Sequence, residues 1–357
     1  IRTKVRGIYS EVNEIFKGTA TQDLLDKYKP VMKGLMTARE MASITKERSR
    51  RNGTMELESN EPKFILNEDG ICIDVQPRQT GESEQMIEQL MVTANQAAAK
   101  LAEKEHLPFV YRVHENPKSL KIETLIELVS SLGLDFSGIK KENPSTAEFA
   151  AILDQAVGTP AQKIVSYQIL RTMEKARYAT DPLGHFGLAL ADYCHYTSPI
   201  RRYPDTAIHR ILTAFVNKKG RNYINEHYAT YAQDSATNSS EAEVKALVAE
   251  RSAEDCYMAE YMTQHIGEQF DGIISGVTNR GLFVQLTNSV EGFVPIDTFV
   301  DSEFEFDGMM TQVDRLTGDK LTIGMPIRIQ VVAADVSSGR IDFMPASEVG
   351  KMIKENK

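Results

Sequence analysis

The chain has 357 residues, a formal net charge of -9, 41% hydrophobic and 25% charged residues. These are the proportions of an ordinary globular protein with room for two or three domains. No run of about 18 apolar residues offers a membrane span, and the acidic balance argues against a protein that coats nucleic acid by charge alone, while leaving room for a narrow cationic site.

The N-terminal stretch IRTKVRGIYSEVNEIF starts at Ile1 and lacks the apolar core of a signal peptide. The three cysteines, Cys72, Cys194 and Cys256, form neither a disulfide framework nor a zinc pattern. Together these predict a piece of a longer cytoplasmic protein. VNEIF and LLDKYKPVMKGLMTAREMASI carry apolar residues at helical spacing, and KFILNEDGICIDVQPR alternates on both sides of a turn at Asp69-Gly70, as a hairpin does. Residues 82–106 predict a long helix with Met86, Leu90, Ala94, Ala98 and Leu101 on one face. PFVYRVHE reads as a short strand, followed by helices near 119–132, 146–156 and 160–174. Near residue 266 the texture changes. IGEQFDGIISGV, GLFVQLTN, EGFVPIDTF, PIRIQVVAADV and GRIDFM are short β-branched and aromatic segments between turn residues, the pattern of a small barrel. The boundary is placed at about 265, and the lysines at 351, 354 and 357 read as the start of a basic tail from 346.

Between these regions lies HYTSPIRRYPDTAIHR, residues 195–210. Two helix starts are available, Ser198-Pro199 and Pro204-Asp205. Either puts Arg201 and Arg202 near a helix N-terminus, the wrong end of the macrodipole for cations. An anion held between the arginines and the helix end resolves the conflict, and arginine grips phosphate with two parallel hydrogen bonds. Ion pairs with neighbouring carboxylates are the alternative, leaving both arginines structural.

GHFGLALADYCHYTSPIRRYPDTAIHR resembles the signature near the end of the catalytic domain of the ribonuclease II/ribonuclease R family of 3'-to-5' exoribonucleases. MIEQLMVTANQAAAKLAEKEHLPFVYRVHENP and VAERSAEDCYMAEYM fit in the right order, the C-terminal strands resemble an S1-type OB-fold, and FDGMMTQVDRLTGDKLTIGMPIRIQV resembles the ribonuclease R branch. The resemblance implies an α+β fold: residues 1–265 as the mainly helical C-terminal half of an RNB-type catalytic domain, then a five-stranded S1-type barrel over 266–345. It also implies Mg²⁺-dependent, processive hydrolysis of single-stranded or structured RNA to nucleoside 5'-monophosphates in the cytoplasm, by a protein that is monomeric at full length. RNA 3' ends are the expected partners, the ribosome a candidate one, and no membrane is involved. The family's aspartate cluster, of the form DxxxxxDxDD, is absent from this sequence. No metal ligands are therefore expected in this chain, which is predicted to be inactive by itself. A non-catalytic RNA-binding module is the alternative reading.

Residue by residue, Arg201 matches the family's catalytic-centre arginine and Glu250 a glutamate near the reaction centre, against a solvated helix face shared with Glu241, Glu243 and Glu254. Tyr111 matches an aromatic that stacks on a terminal base, against a packed core tyrosine, and His114 is expected in the same channel. Ser198 and Tyr203 are expected to shape the turn or touch RNA, and Arg202 to contact a backbone phosphate; Asp205 and His209 either support the site or are structural. On the barrel, Phe283, Asp335 and Arg340 match the RNA-facing side, while Arg280 and Pro295 stand where an aromatic and a histidine are expected. Residues 266–357 carry 8 Lys/Arg and 14 Asp/Glu, a net of -6, which predicts weak RNA affinity for the barrel alone.

Overall fold

In the computed structural model, residues 2–55, 61–159, 161–308 and 310–347 are described. Val12, Ile15 and Phe16, at helical spacing, bury one face of α1 (Tyr9–Lys17), which stops at the left-handed Gly18. The apolar run that follows is broken at Pro30 into α2 (Gln22–Tyr28), whose cap Thr21 accepts from the Leu24 amide, and α3 (Met32–Arg51). These helices bury Tyr28 and Ala42 with Met86 of α4 (Glu82–Glu105).

The other face of α4 carries Ala98, Ala99 and Ala102, small residues that let neighbours approach closely. Against them lie β3 (Tyr111–Val113), paired antiparallel with β4 (Arg177–Ala179), the helix α8 (Tyr203–Val216) and the start of α9 (Arg221–Thr263). The core they enclose includes Phe109, Val110, Ile208, Ile211 and Ile224. Three further helices, α5 (Ser119–Ser131), α6 (Thr146–Ala156) and α7 (Gln162–Thr172), are inserted between β3 and β4.

The chain forms two compact units. One comprises Ile1–Glu56, Gln79–Gln155 and Gln168–Glu243; the other comprises Leu57–Arg78, Ala156–Tyr167 and Val244–Lys357. Helical structure gives way to strand between Thr263 and Gln269, yet packing joins the second half of α9 to the barrel unit. The hairpin of β1 (Pro62–Leu66) and β2 (Cys72–Pro77) is tied to that half by Glu260, which accepts from the Cys72 amide at 2.8 Å, and by Phe64 against Tyr257. Its turn is closed by Asn67 Oδ1, which accepts from the amides of Asp69 and Ile71.

In the second unit, β5 (Gln269–Thr278), β6 (Gly281–Leu286), β7 (Glu291–Pro295), β11 (Pro326–Asp335) and β12 (Arg340–Pro345) close a barrel in the order β11-β12-β7-β6-β5. All contacts in it are antiparallel except β12 with β7. The segment between β7 and β11 forms a separate antiparallel sheet of β8 (Phe304–Phe306), β9 (Thr311–Asp314) and β10 (Lys320–Thr322). Mixed helices and strands with a closed five-stranded barrel are thus the observed fold class. Apart from residues 346 and 347, the expected basic tail lies outside the described residues.

Candidate nucleic-acid interface

Of the two possible helix starts, α8 uses the later. It begins at Tyr203 with Pro204 in its first turn, where a missing amide hydrogen costs nothing. Ser198 and Pro199 instead open a tight turn, in which the amides of Arg201 and Arg202 donate to the Ser198 carbonyl at 3.3 and 3.1 Å.

This loop is tied down from two helices. The Tyr196 amide donates to Oδ1 of the buried Asn95 on α4 at 2.9 Å. On α8, His209 Nε2 contacts the Tyr196 carbonyl at 2.8 Å, and Thr206 Oγ1 donates to the Pro199 carbonyl at 3.1 Å. Asp205 is 0% exposed, and its Oδ1 accepts from the Ser198 amide at 2.6 Å and from Arg202 Nη2 at 2.8 Å. Exposed on the turn are Ile200, at 102%, and Arg201, whose side chain makes no hydrogen bond or ion pair among the described residues.

The two arginines therefore differ. Arg202 is half-buried and neutralised by Asp205 in the first turn of its own helix, so its clash with the helix dipole is relieved by a carboxylate, not by a bound anion. Nη2 of the guanidinium expected at a backbone phosphate is thus engaged within the chain. Ser198 contributes its backbone to the turn. Tyr203 is 53% exposed and its hydroxyl lies 3.2 Å from that of Tyr231, which also accepts from Arg210 Nη1.

Tyr111 is placed otherwise than the stacking expectation requires. It is 3% exposed, its ring packs on Phe109 at 5.4 Å, and burial raises its phenol pKa well above the usual value. The ring is enclosed by core side chains, the surroundings of the packed-core alternative. His114 is half-buried; its Nδ1 accepts from the Gly187 amide at 3.1 Å, its ring meets His185 edge-on, and burial lowers its pKa.

Behind the arginine loop is a run of aromatic groups that the sequence reading did not single out. His185, Tyr193, His195 and Tyr178 meet edge to face at 5.2–5.8 Å, and the Tyr178 hydroxyl lies 2.9 Å from His195 Nδ1. Burial first, then the nearby cations Arg202 and Arg112, brings the His195 pKa down to about 2; burial, then His114 and Arg112, brings that of His185 to about 3. Both rings are uncharged at neutral pH. Arg112 lies over the Tyr178 ring and pairs with Glu243 at 2.6 Å.

In the second unit, Glu250 is exposed on α9, and its charge helps raise the pKa of Glu254, after burial. On the barrel, Phe283 is 38% exposed and pairs in register with Phe293, their rings 5.2 Å apart. A Cβ on Gly276 would sit 3.3 Å from the Phe283 ring, so the glycine lets that ring lie across β5. The pair forms an aromatic platform beside Asp342, the register partner of Phe293. Phe293 is thus an aromatic missed in the sequence; its alternation with buried Gly292 and Val294 was the available signal. Arg340 is exposed, two residues before Asp342 on the same strand face. Asp335 is committed to its own turn, accepting from Ser337 and Ser338, and those bonds lower its pKa.

Mg²⁺ does not fit the side chains described. Among the described residues no three His, Cys, Asp or Glu side chains converge as a metal site, and the buried carboxylate beside the arginine turn, Asp205, already accepts from Ser198 and Arg202.

An RNB domain profile matches residues 1–218, and an S1 RNA binding domain profile matches residues 263–344. The chain belongs to the RNB family. Ribonuclease R 1 of Lactococcus lactis subsp. lactis (strain IL1403) is 35% identical to this RNB chain over 344 residues, 96% of this chain and 42% of that protein. Mycoplasma genitalium RNase R in complex with ribose methylated single-stranded RNA superposes with a TM-score of 0.87 at 27% identity, over 94% of this chain and 52% of that one. The same enzyme in complex with double-stranded RNA gives 0.79 at 25% identity, over 94% and 54%. This RNB chain thus spans about half the length of the curated relatives it matches. No helix among the described residues is long and apolar enough to cross a membrane.

Proposed function

We propose that the chain supplies the phosphate-gripping and RNA-holding part of a cytoplasmic 3'-to-5' exoribonuclease that converts single-stranded or structured RNA to nucleoside 5'-monophosphates. The observation that carries this reading is the unequal arginine pair. In an RNB domain, a pinned turn commits Arg202 internally and leaves Arg201 exposed and unpaired. A guanidinium so presented can donate two parallel hydrogen bonds to the non-bridging oxygens of a phosphate. As water attacks phosphorus and the 3' oxygen leaves with a proton, negative charge grows on those oxygens, and a cation presented from a fixed turn stabilises it. Tyr203 on α8, and Phe283 with Phe293 on the barrel, offer ring faces on which bases stack without regard to sequence. Glu250 and Arg340 are open to solvent and free to meet RNA or groups beyond this chain. RNA 3' ends are the proposed partners, the ribosome a further candidate, and the full-length enzyme a monomer.

Mg²⁺ belongs to this reading only through ligands other than those described here, and no step is assigned to it. The second reading is an RNA-binding module without catalysis of its own. The test is the purified chain with 5'-labelled single-stranded RNA and Mg²⁺ or Mn²⁺. Binding without shortening of the RNA is expected; stepwise loss from the 3' end that Arg201→Ala abolishes would place a complete metal site in this chain.

A further inference from the structure

The arginine turn is held at several points, and two of them converge on one atom. Asp205 Oδ1 takes the Ser198 amide at one end of the turn and the Arg202 guanidinium at the other. Thr206 and His209 fix the loop at Pro199 and Tyr196 from the same helix face, and Asn95 holds Tyr196 from α4. Between these ties Pro199, Ile200 and Arg201 are exposed, and Arg201 is the charged one of the three. Asp205 also carries the charge that offsets both Arg202 and the positive end of α8, so the net cation of the loop is Arg201.

We propose that Asp205 is a positioning residue, clamping the Ser198–Arg202 turn so that Arg201 meets an RNA phosphate from a backbone already fixed and as the uncompensated charge of the loop. The proposal rests on the reading of Arg201 as a phosphate contact. A guanidinium on a loose turn would have to order its backbone and side chain on binding; on the clamped turn the backbone part of that cost is met in folding. The clamp also explains why two adjacent arginines occur here: one braces the turn and the other is displayed by it.

Removing an acidic group normally strengthens binding to a polyanion, so the clamp makes a prediction of opposite sign. Binding of a labelled single-stranded oligouridylate by the 357-residue chain is measured in EDTA across a salt series. Arg201→Ala weakens binding about tenfold and lowers the slope of log K against log salt by about 0.7, one phosphate contact on a single strand. Asp205→Asn weakens binding in the same direction despite the lost negative charge, and adding it to Arg201→Ala costs little more, because the two act as one unit. Amide exchange at Ser198, Arg201 and Arg202 quickens in Asp205→Asn while that of Ile208 and Ile211 does not. Should Asp205→Asn unfold, Thr206→Val loosens the same turn without altering charge and weakens binding two- to threefold at unchanged stability. Unchanged or tighter binding by folded Asp205→Asn, or losses that add fully with Arg201→Ala, overturns the positioning role alone. If Arg201→Ala binds as wild type does, the phosphate reading of Arg201 falls, and the positioning role with it.

Discussion

Tyr111 and Phe283 were both expected to offer a ring to RNA, and their surroundings separate them. Tyr111 is enclosed in the core of the first unit, whereas Phe283 lies across Gly276 with part of its ring in solvent. Truncating a buried aromatic leaves a cavity and costs about 3–5 kcal/mol, while removing a stacking ring costs about 1–3 kcal/mol of binding per base. Tyr111→Ala is therefore expected to lower the denaturant midpoint sharply. Phe283→Ala should leave the midpoint nearly unchanged and weaken RNA binding by the chain. Urea titrations and RNA binding run on both variants check the pair; a stable Tyr111→Ala with selectively weakened RNA binding would restore the stacking role. Nothing local in FVYRVHE distinguishes the two fates, because a strand tyrosine is equally suited to a core and to a channel wall.

The five short β-branched and aromatic segments between turn residues marked the barrel strands, since strand propensity and turn chemistry are local. The barrel's close approaches were not legible. Gly292 has no exceptional backbone requirement in the sequence, yet a Cβ there would lie 2.4 Å from the Phe343 ring, itself buried inside the barrel. Gly292→Ala is expected to destabilise the barrel by about 1–3 kcal/mol, as overpacking does, read as a lower thermal midpoint of the barrel's near-ultraviolet aromatic signal. The break between α2 and α3 at Pro30 follows from the ring's missing amide hydrogen, whereas apolar spacing alone runs through it. On α8 the sequence left two starts open. The choice fell on Pro204 because Asp205, three residues beyond the cap Arg202, then reaches back to the turn.

At the scale of the whole molecule, the uncharged histidines set a pH limit on stability. His185 and His195 have folded pKa values of about 3 and 2, against about 6.5 unfolded. Below pH 6.5 the unfolded chain takes up protons that these two sites refuse, so the stability they contribute is intact above pH 6.5 and falls as the solution is acidified. Each site contributes up to about 1.4 kcal/mol per pH unit in that window. Urea midpoints measured from pH 7.5 to 5 should fall steadily below 6.5, and His195→Asn should flatten the decline. A pH-independent midpoint would show that neither ring is held neutral by its burial. Acid should thus unfold the aromatic layer behind the arginine turn and disable the turn with it.

The sequence by itself determined the helical region and the five barrel strands, because periodicity and turn residues act within a few positions of one another. It also determined the family, through the long run from Gly184 to Arg210. The fate of each polar group was decided only by tertiary structure. That Arg202 braces while Arg201 stays exposed depends on a carboxylate three positions into the next helix; that Asp335 closes a turn depends on the two serines it folds onto. Two adjacent arginines are chemically the same letter. What separates them is the partner each finds in three dimensions, and burial, which pairs Arg202 with a carboxylate and leaves Arg201 exposed.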